Sequence, residues 1–164
     1  MVEVLEVGNP HFNSDSGGFW TADESDPRGL GIIQDVRVRV LEPWADQLGL
    51  GGEFTFAVFG GQIEVEMTES QAEAAGQPDG AGTYVYSIEP EVELTEGERA
   101  ILFIDRDLAG WETGKREVLL VVGGFQGKFR PRGQTAVNRR DGFSLPIQAL
   151  RELVNQELGR GRAT

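Results

Sequence analysis

The chain has no cysteine, which removes disulfides, thiolate chemistry and every zinc site built on sulfur. A single histidine, His11, leaves no material for a three-histidine metal site or for a Ser–His–Asp triad with a spare base. Basic residues are scarce: 15 Lys and Arg face 27 Asp and Glu, and the net charge of −12 disfavours nonspecific binding to DNA. No apolar run approaches the roughly 20 residues that a membrane helix needs, the longest being the five-residue runs Val118 to Val122 and Ala100 to Ile104. Glu3 and Glu6 interrupt the only apolar stretch near the start, so nothing there reads as a signal peptide. No G-x-S-x-G, Walker-type or H-E-x-x-H motif occurs.

What is present is period two. From Asp35 to Leu41, Val36, Val38 and Val40 alternate with Asp35, Arg37 and Arg39, the pattern of a strand with one wet face. Ile63, Val65 and Met67 alternate with Glu64 and Glu66 in the same way. Glu53 to Phe59 carries apolar residues on both sides, so both faces are expected to be covered. Further strands are predicted at Val2–Val7, Thr83–Ile88, Ala100–Asp105, Glu117–Val122 and Phe125–Arg130. The pairs Gly60-Gly61 and Gly123-Gly124 read as hairpin turns, because glycine supplies the positive φ that tight turns demand. Helix signals are confined to the end and to short pieces. Ser144 as cap, Pro146 in the first turn, and Ile147, Leu150, Leu153 or Val154 and Leu158 at helical spacing predict an amphipathic helix over 145–158. One helical turn each is expected at Pro43–Leu48 and at Glu69–Ala75. Gly8–Gly31 and Thr68–Gly82 read as long loops.

With 164 residues the chain makes about one domain. The expectation is a single all-β, OB-like closed barrel over 1–159, with about 6–8 short strands, the C-terminal helix, and a flexible tail at 160–164. The segment Leu94-Thr-Glu-Gly-Glu-Arg-Ala-Ile-Leu-Phe-Ile104, followed by Val121-Val-Gly-Gly-Phe-Gln-Gly-Lys-Phe-Arg130, resembles a group of bacterial β-barrel domains. Those domains are similar to the netrin/tissue-inhibitor-of-metalloproteinase class of OB-like barrels. The resemblance covers about residues 32–138 and implies an extracytoplasmic protein. In that class, inhibition depends on an N-terminal cysteine that meets a catalytic zinc, and this chain has none.

Several residue groups are candidate sites. Trp20, Trp44 and Trp111 fall in loops or beside Gly or Pro, where tryptophans serve as interface anchors. Asn13-Ser-Asp15-Ser-Gly17, with Asp23, Glu24 and Asp26 nearby, has the alternating oxygens of a Ca²⁺ loop, without the bidentate glutamate of an EF-hand. Asp105 and Asp107 share a strand face and are spaced for a metal or an acid/base pair. Charge is split along the chain: residues 1–112 hold 23 acids and 5 bases, a balance of −18, whereas residues 113–164 hold 4 acids and 10 bases, a balance of +6. Within the basic part, Lys128, Arg130, Arg132, Arg139 and Arg140 cluster around Phe125 and Phe129, a pattern that tracks phosphates and stacks bases on an OB-like barrel.

No catalytic constellation emerges, whereas long loops, loop tryptophans and a dipolar charge distribution do. The function expected is therefore non-enzymatic: a binding or assembly module that contacts a protein or cell-surface partner, without a cofactor. Two alternatives stand beside it. One is single-stranded nucleic-acid binding through the Lys128–Arg140 face; the other is a structural subunit of a capsid, a surface layer or a homo-oligomer.

Overall fold

In the computed structural model, residues 1–14, 17–18, 31–45, 48–106, 119–122, 124–138 and 142–160 are described. The fold is mostly β, a curled, barrel-like sheet with two helices. In chain order the elements are β1 (Val2–Val7), β2 (His11–Phe12), β3 (Ile32–Val40), β4 (Glu53–Phe59), β5 (Gly61–Met67), α1 (Glu69–Ala74), β6 (Gly82–Ile88), β7 (Arg99–Leu102), β8 (Ile104–Arg106), β9 (Leu119–Val121), a 3-10 turn (Gly124–Gly127), β10 (Lys128–Arg132), β11 (Thr135–Val137), β12 (Ser144–Pro146) and α2 (Ile147–Arg160). The large sheet runs β12-β11-β10-β7-β1-β3-β4-β9-β8, with β2 paired to β3, while β5 and β6 form a separate two-stranded sheet.

The alternation in β3 is realised as written. Val36 and Val38 are fully buried, whereas Arg37 and Arg39 face solvent. They join Val2, Val4, Phe56, Val58, Val92, Ala100 and Val121 in the main core. Each such side chain contributes about 1.5–3 kcal/mol on burial. The double-sided character of β4 is also realised: Phe56 and Val58 enter that core, while Ala57 and Phe59 pack with Ile33 and Leu120.

A bulge in β1 shifts the register between Val4 and Glu6. Without the extra residue, Glu6 would share the inward face of Val2 and Val4. With it, Glu6 lies opposite Arg37, Glu3 lies opposite Arg39, and Val7 turns inward against Val36.

Neither glycine pair makes the expected hairpin. Past Gly60-Gly61 the chain leaves the large sheet: β4 pairs with β3 and β9, and β5 pairs only with β6. Gly60 (φ 106°) and Gly61 (φ 131°) pack so tightly against Pro90 and Pro10 that an added Cβ would lie 2.4 Å and 2.8 Å from those rings. The glycines thus serve a close crossing of backbones rather than a two-residue turn. The second pair is replaced by the 3-10 turn at Gly124–Gly127, a five-residue offset between two pairings with the same partner strand. Ile104 opposite Val121 becomes Leu102 opposite Lys128. Phe103 bridges the offset, its N–H donating to Gly127 O and its carbonyl accepting from Val122 N–H.

The C-terminal helix starts two residues later than the sequence suggests. Ser144 to Pro146, read as a cap and first turn, instead extend the sheet as β12 against β11, and Ile147 N–H bonds to Gln134 O. Among the described residues of 43–48 there is no helical turn. The turn expected at Glu69–Ala75 is present as α1, capped by Thr68 in a reciprocal box with Gln71. Helix α1 and the β5–β6 pair close a second small core around Met67, Ala72, Phe12 and Ile32. No helix of the structure is long and apolar enough, among the described residues, to cross a membrane.

Candidate functional site

A cleft of about 600 Å³ lies at one end of the sheet. Its floor comes from Val2, Val40, Phe54 and the run Ile101–Asp105; its roof comes from Glu42–Ala45, Leu48, Leu50, Gly51 and Val154 of α2, and Met1 and Gln126 also line it. The floor residues reach it because strands alternate sides. Val2 pairs with Val40, while the next pair, Glu3 and Arg39, faces the opposite way. The size lies within the roughly 300–1,000 Å³ of small-molecule sites, and the lining is dominated by aliphatic and aromatic side chains.

Two contacts brace the roof. Leu150 of α2 is buried among Ile101, Phe129 and Ala136. One residue on, the Arg151 guanidinium bonds the Glu42 carboxylate and stacks 5.2 Å above the Trp44 ring. Arg151 holds the Glu42 carboxyl below the usual carboxylate range, and the neighbouring indole of Trp44 acts in the same direction. The Trp44 Nε1 and Arg151 Nε atoms are fully occluded and lack hydrogen-bond partners of good geometry. They therefore offer no donor to the open volume.

From the cleft wall an aromatic row leads outward: Phe103 packs edge-on to Phe129 at 6.1 Å, and Phe129 to Phe143 at 6.4 Å. Phe143 is 55% exposed, Leu153 of α2 is 51% exposed, and Val122, itself a lining residue, is 52% exposed.

The opposite face of β1, β3 and β4 is charged. Arg37 pairs with Glu6 at 3.1 Å and with Glu53 at 3.5 Å; Arg39 pairs with Glu53 at 3.2 Å and with Glu3 at 3.5 Å. This ladder of three carboxylates and two guanidinium groups is internally matched and carries no aromatic platform.

The residues singled out in the sequence distribute unevenly. Of the tryptophans, Trp44 lines the cleft as a half-buried wall residue; Trp20 and Trp111 lie outside the described residues. Of the basic group, Lys128 is buried, bonded to Glu98 at 2.9 Å and to the Glu93 carbonyl, and Arg130 shares the same Glu98 carboxylate. Burial lowers the Lys128 pKa, an effect that Glu98 opposes. Arg132 is exposed at the end of β10, and Arg139 and Arg140 lie outside the described residues. Asn13 is buried, with both amide atoms unpartnered. Asp15, Asp23 and Asp26 lie outside the described residues, and those that are described form no cluster of three or more metal-ligating side chains. Asp105, the middle residue of β8, lines the cleft, and Asp107 is again outside the described residues. His11 sits 3.6 Å from the Asp35 carboxylate.

Sequence reading missed Glu98 as the hub of the basic strand and missed the pairing of Glu42 with Arg151. Both join residues at least 30 positions apart with no shared local pattern. The chain matches no known family, no curated protein and no solved structure.

Proposed function

We propose that this protein is a non-enzymatic binding module on an OB-like closed barrel, which docks a protein or surface partner at the α2 end. The barrel reading is supported by a ring of pairings: β1 with β3, β3 with β4, β4 with β9, β9 with β8, and β7 with β1. Only Phe103 separates β7 from β8, so the two act as one bent strand that returns the sheet to its start. A five-stranded Greek-key barrel has this character. The resemblance of Leu94–Ile104 and Val121–Arg130 to netrin/tissue-inhibitor-like barrels is part of the same proposal.

The observation that carries the docking reading is the exposure of three large apolar side chains: Val122 on the cleft lining, Phe143 in edge-on contact with Phe129, and Leu153 on α2. Surfaces of this kind mark interaction sites. Single-stranded nucleic acid has less support, because Glu98 already occupies Lys128 and Arg130. The test is affinity capture from source extract by the wild-type protein and by the double variant Phe143→Ser, Leu153→Ser. The reading expects a partner retained at moderate salt by the wild type and lost by the variant. Equal retention by both proteins removes the α2 end as the docking face.

A further inference from the structure

We propose that the outer edge of β6 is a dimerisation site, where two copies of this chain join their β5–β6 pairs into one antiparallel sheet about a two-fold axis at Val85. The inference is independent of the docking reading at the α2 end and gives the homo-oligomer alternative a defined surface. Three observations combine.

The first is an open edge. Strand β6 pairs with β5 over seven unbroken positions, from Gly61 opposite Ile88 to Met67 opposite Gly82, and with no other strand among the described residues. Edge strands normally carry a charge, a proline or a bulge that blocks further pairing. From Gly82 to Ile88 the chain has none of the three. Val85, at the centre, is 58% exposed and Ile88 is 41% exposed.

The second is a sequence that reads nearly the same in both directions. Thr83-Tyr84-Val85-Tyr86-Ser87 is a palindrome of side-chain type about Val85. When two copies pair antiparallel on that centre, Val85 meets its own counterpart, Tyr84 lies opposite Tyr86, and Thr83 lies opposite Ser87. Cross-strand pairs of this kind, aromatic with aromatic and hydroxyl with hydroxyl, favour pairing. Gly82 falls opposite Ile88, and the place that a Gly82 side chain would take is open space. Both tyrosine rings pack on the second small core, with the Tyr84 hydroxyl donating to the Gly80 carbonyl and the Tyr86 hydroxyl accepting from Gln77 Nε2 at 3.0 Å. A shift of one residue would turn the second copy over and put its tyrosines on the outer face. A shift of two sets Thr83 against Val85. The palindrome therefore selects a second copy, in one register, over a strand of unrelated sequence.

The third is charge. A chain of net charge −12 repels its own counterpart over most of its surface. Strand β6 is uncharged, and the carboxylates of this sheet stand on β5, Glu64 opposite Val85 and Glu66 opposite Thr83. In the joined sheet, β5 and its counterpart are three strand spacings apart, about 14 Å. That exceeds the screening length of about 8 Å at physiological salt. Asp79 and Glu89 flank β6 at its two ends, so added salt tightens this contact.

Sedimentation velocity of the intact protein, from micromolar to millimolar concentration, tests the proposal. The contact is one strand wide, so half-association is expected at roughly 10–100 μM. The mass rises from one copy to two and stops, because a two-fold contact uses up the edge. Val85→Asp sets two carboxylates against each other on the axis and weakens the dimer roughly tenfold or more, with the far-ultraviolet circular dichroism unchanged. A second readout avoids any introduced charge. The chain has no cysteine, so Val85→Cys supplies a single thiol at an exposed position. Directly opposed residues lie about 4.5–5.5 Å apart, within disulfide reach, so mild oxidation links two copies of this variant. Thr83→Cys, about 13 Å from its own counterpart in this register, does not link. Mass that stays at one copy, association that continues past two, or linking of Thr83→Cys as readily as Val85→Cys each overturns the inference. So does a dimer that survives Val85→Asp and is lost in Phe143→Ser, Leu153→Ser, which places self-association at the α2 end.

Discussion

The same three strands build two unlike surfaces. On one side of β1, β3 and β4, Glu3, Glu6, Arg37, Arg39 and Glu53 satisfy one another in water. On the other, one register step away, Val2, Val40 and Phe54 pack against the main core and also line the cleft. The charged face looks the more eventful in sequence, yet its electrostatic demand is met internally. The cleft face reads as ordinary core, yet it is left incompletely covered. Abundance of charge thus marks the face that is already satisfied, and the incompletely covered apolar surface lies behind it.

Adjacent residues of β4 give the sharpest way to break that comparison. Phe56→Ala removes a fully buried ring and is expected to destabilise the fold by about 3–5 kcal/mol, whereas Thr55→Ala on the charged face changes stability by less than about 0.5 kcal/mol. Chemical denaturation of the two variants measures both. Next in size is Glu98→Gln. It leaves Lys128 buried without its carboxylate and is expected to cost about 3 kcal/mol in the same assay. Lys128→Met, which removes the buried charge itself, costs less than Glu98→Gln.

Burial also gives Lys128 a pH signature. Its folded pKa lies below its unfolded value of 10.5, so between the two the unfolded chain binds more protons and stability rises with pH. Below that window the penalty is constant. The stability of the wild type relative to Lys128→Met therefore rises as pH climbs toward 10.5, and denaturation curves across alkaline pH read the slope. A flat difference contradicts the burial of this amine.

The smallest effect belongs to the ladder. Arg37→Ala is expected to cost about 0.5 kcal/mol, a loss that shrinks at high salt, because both of its ion pairs are exposed. A salt-independent loss above about 2 kcal/mol contradicts the account of that face as a solvent-screened network.

How much of this was legible depended on the range of the signal. Period-two alternation is local, so β1, β4 and β6 were readable nearly to the residue, whereas β3 starts at Ile32, three residues before its alternation; the double-sided burial of β4 followed from its Phe and Val content. Thr68 with Gln71 and the apolar spacing of α2 were local too. Glycine pairs were ambiguous, since Gly60-Gly61 serves a close approach of Pro90 and Pro10 that no neighbouring residue announces. Ser144 and Pro146 suit a helix start as well as a short edge strand, and pairing with Thr135–Val137 decided for the strand. The bulge that turns Glu6 outward depends on registration with Arg37, 31 residues away.

The candidate site was legible only through Trp44 and Asp105. Its cleft is assembled from five separate stretches of chain, the helix α2 among them. The basic group of β10 was visible as composition, but its saturation by Glu98 lies in tertiary structure.

The central claim is that β1, β3 and β4 carry a self-matched charged face on one side and an incompletely covered apolar cleft on the other. Methyl resonances of the labelled protein during addition of Nile red, an uncharged apolar dye, test it most directly. The account predicts shifts at Leu48, Leu50, Ile101, Leu102, Ile104, Val122 and Val154, with Thr55 on the charged face and Val85 on β6 unmoved. Shifts at Thr55 or Val85 while the Ile101 and Val154 methyls stay in place would contradict it.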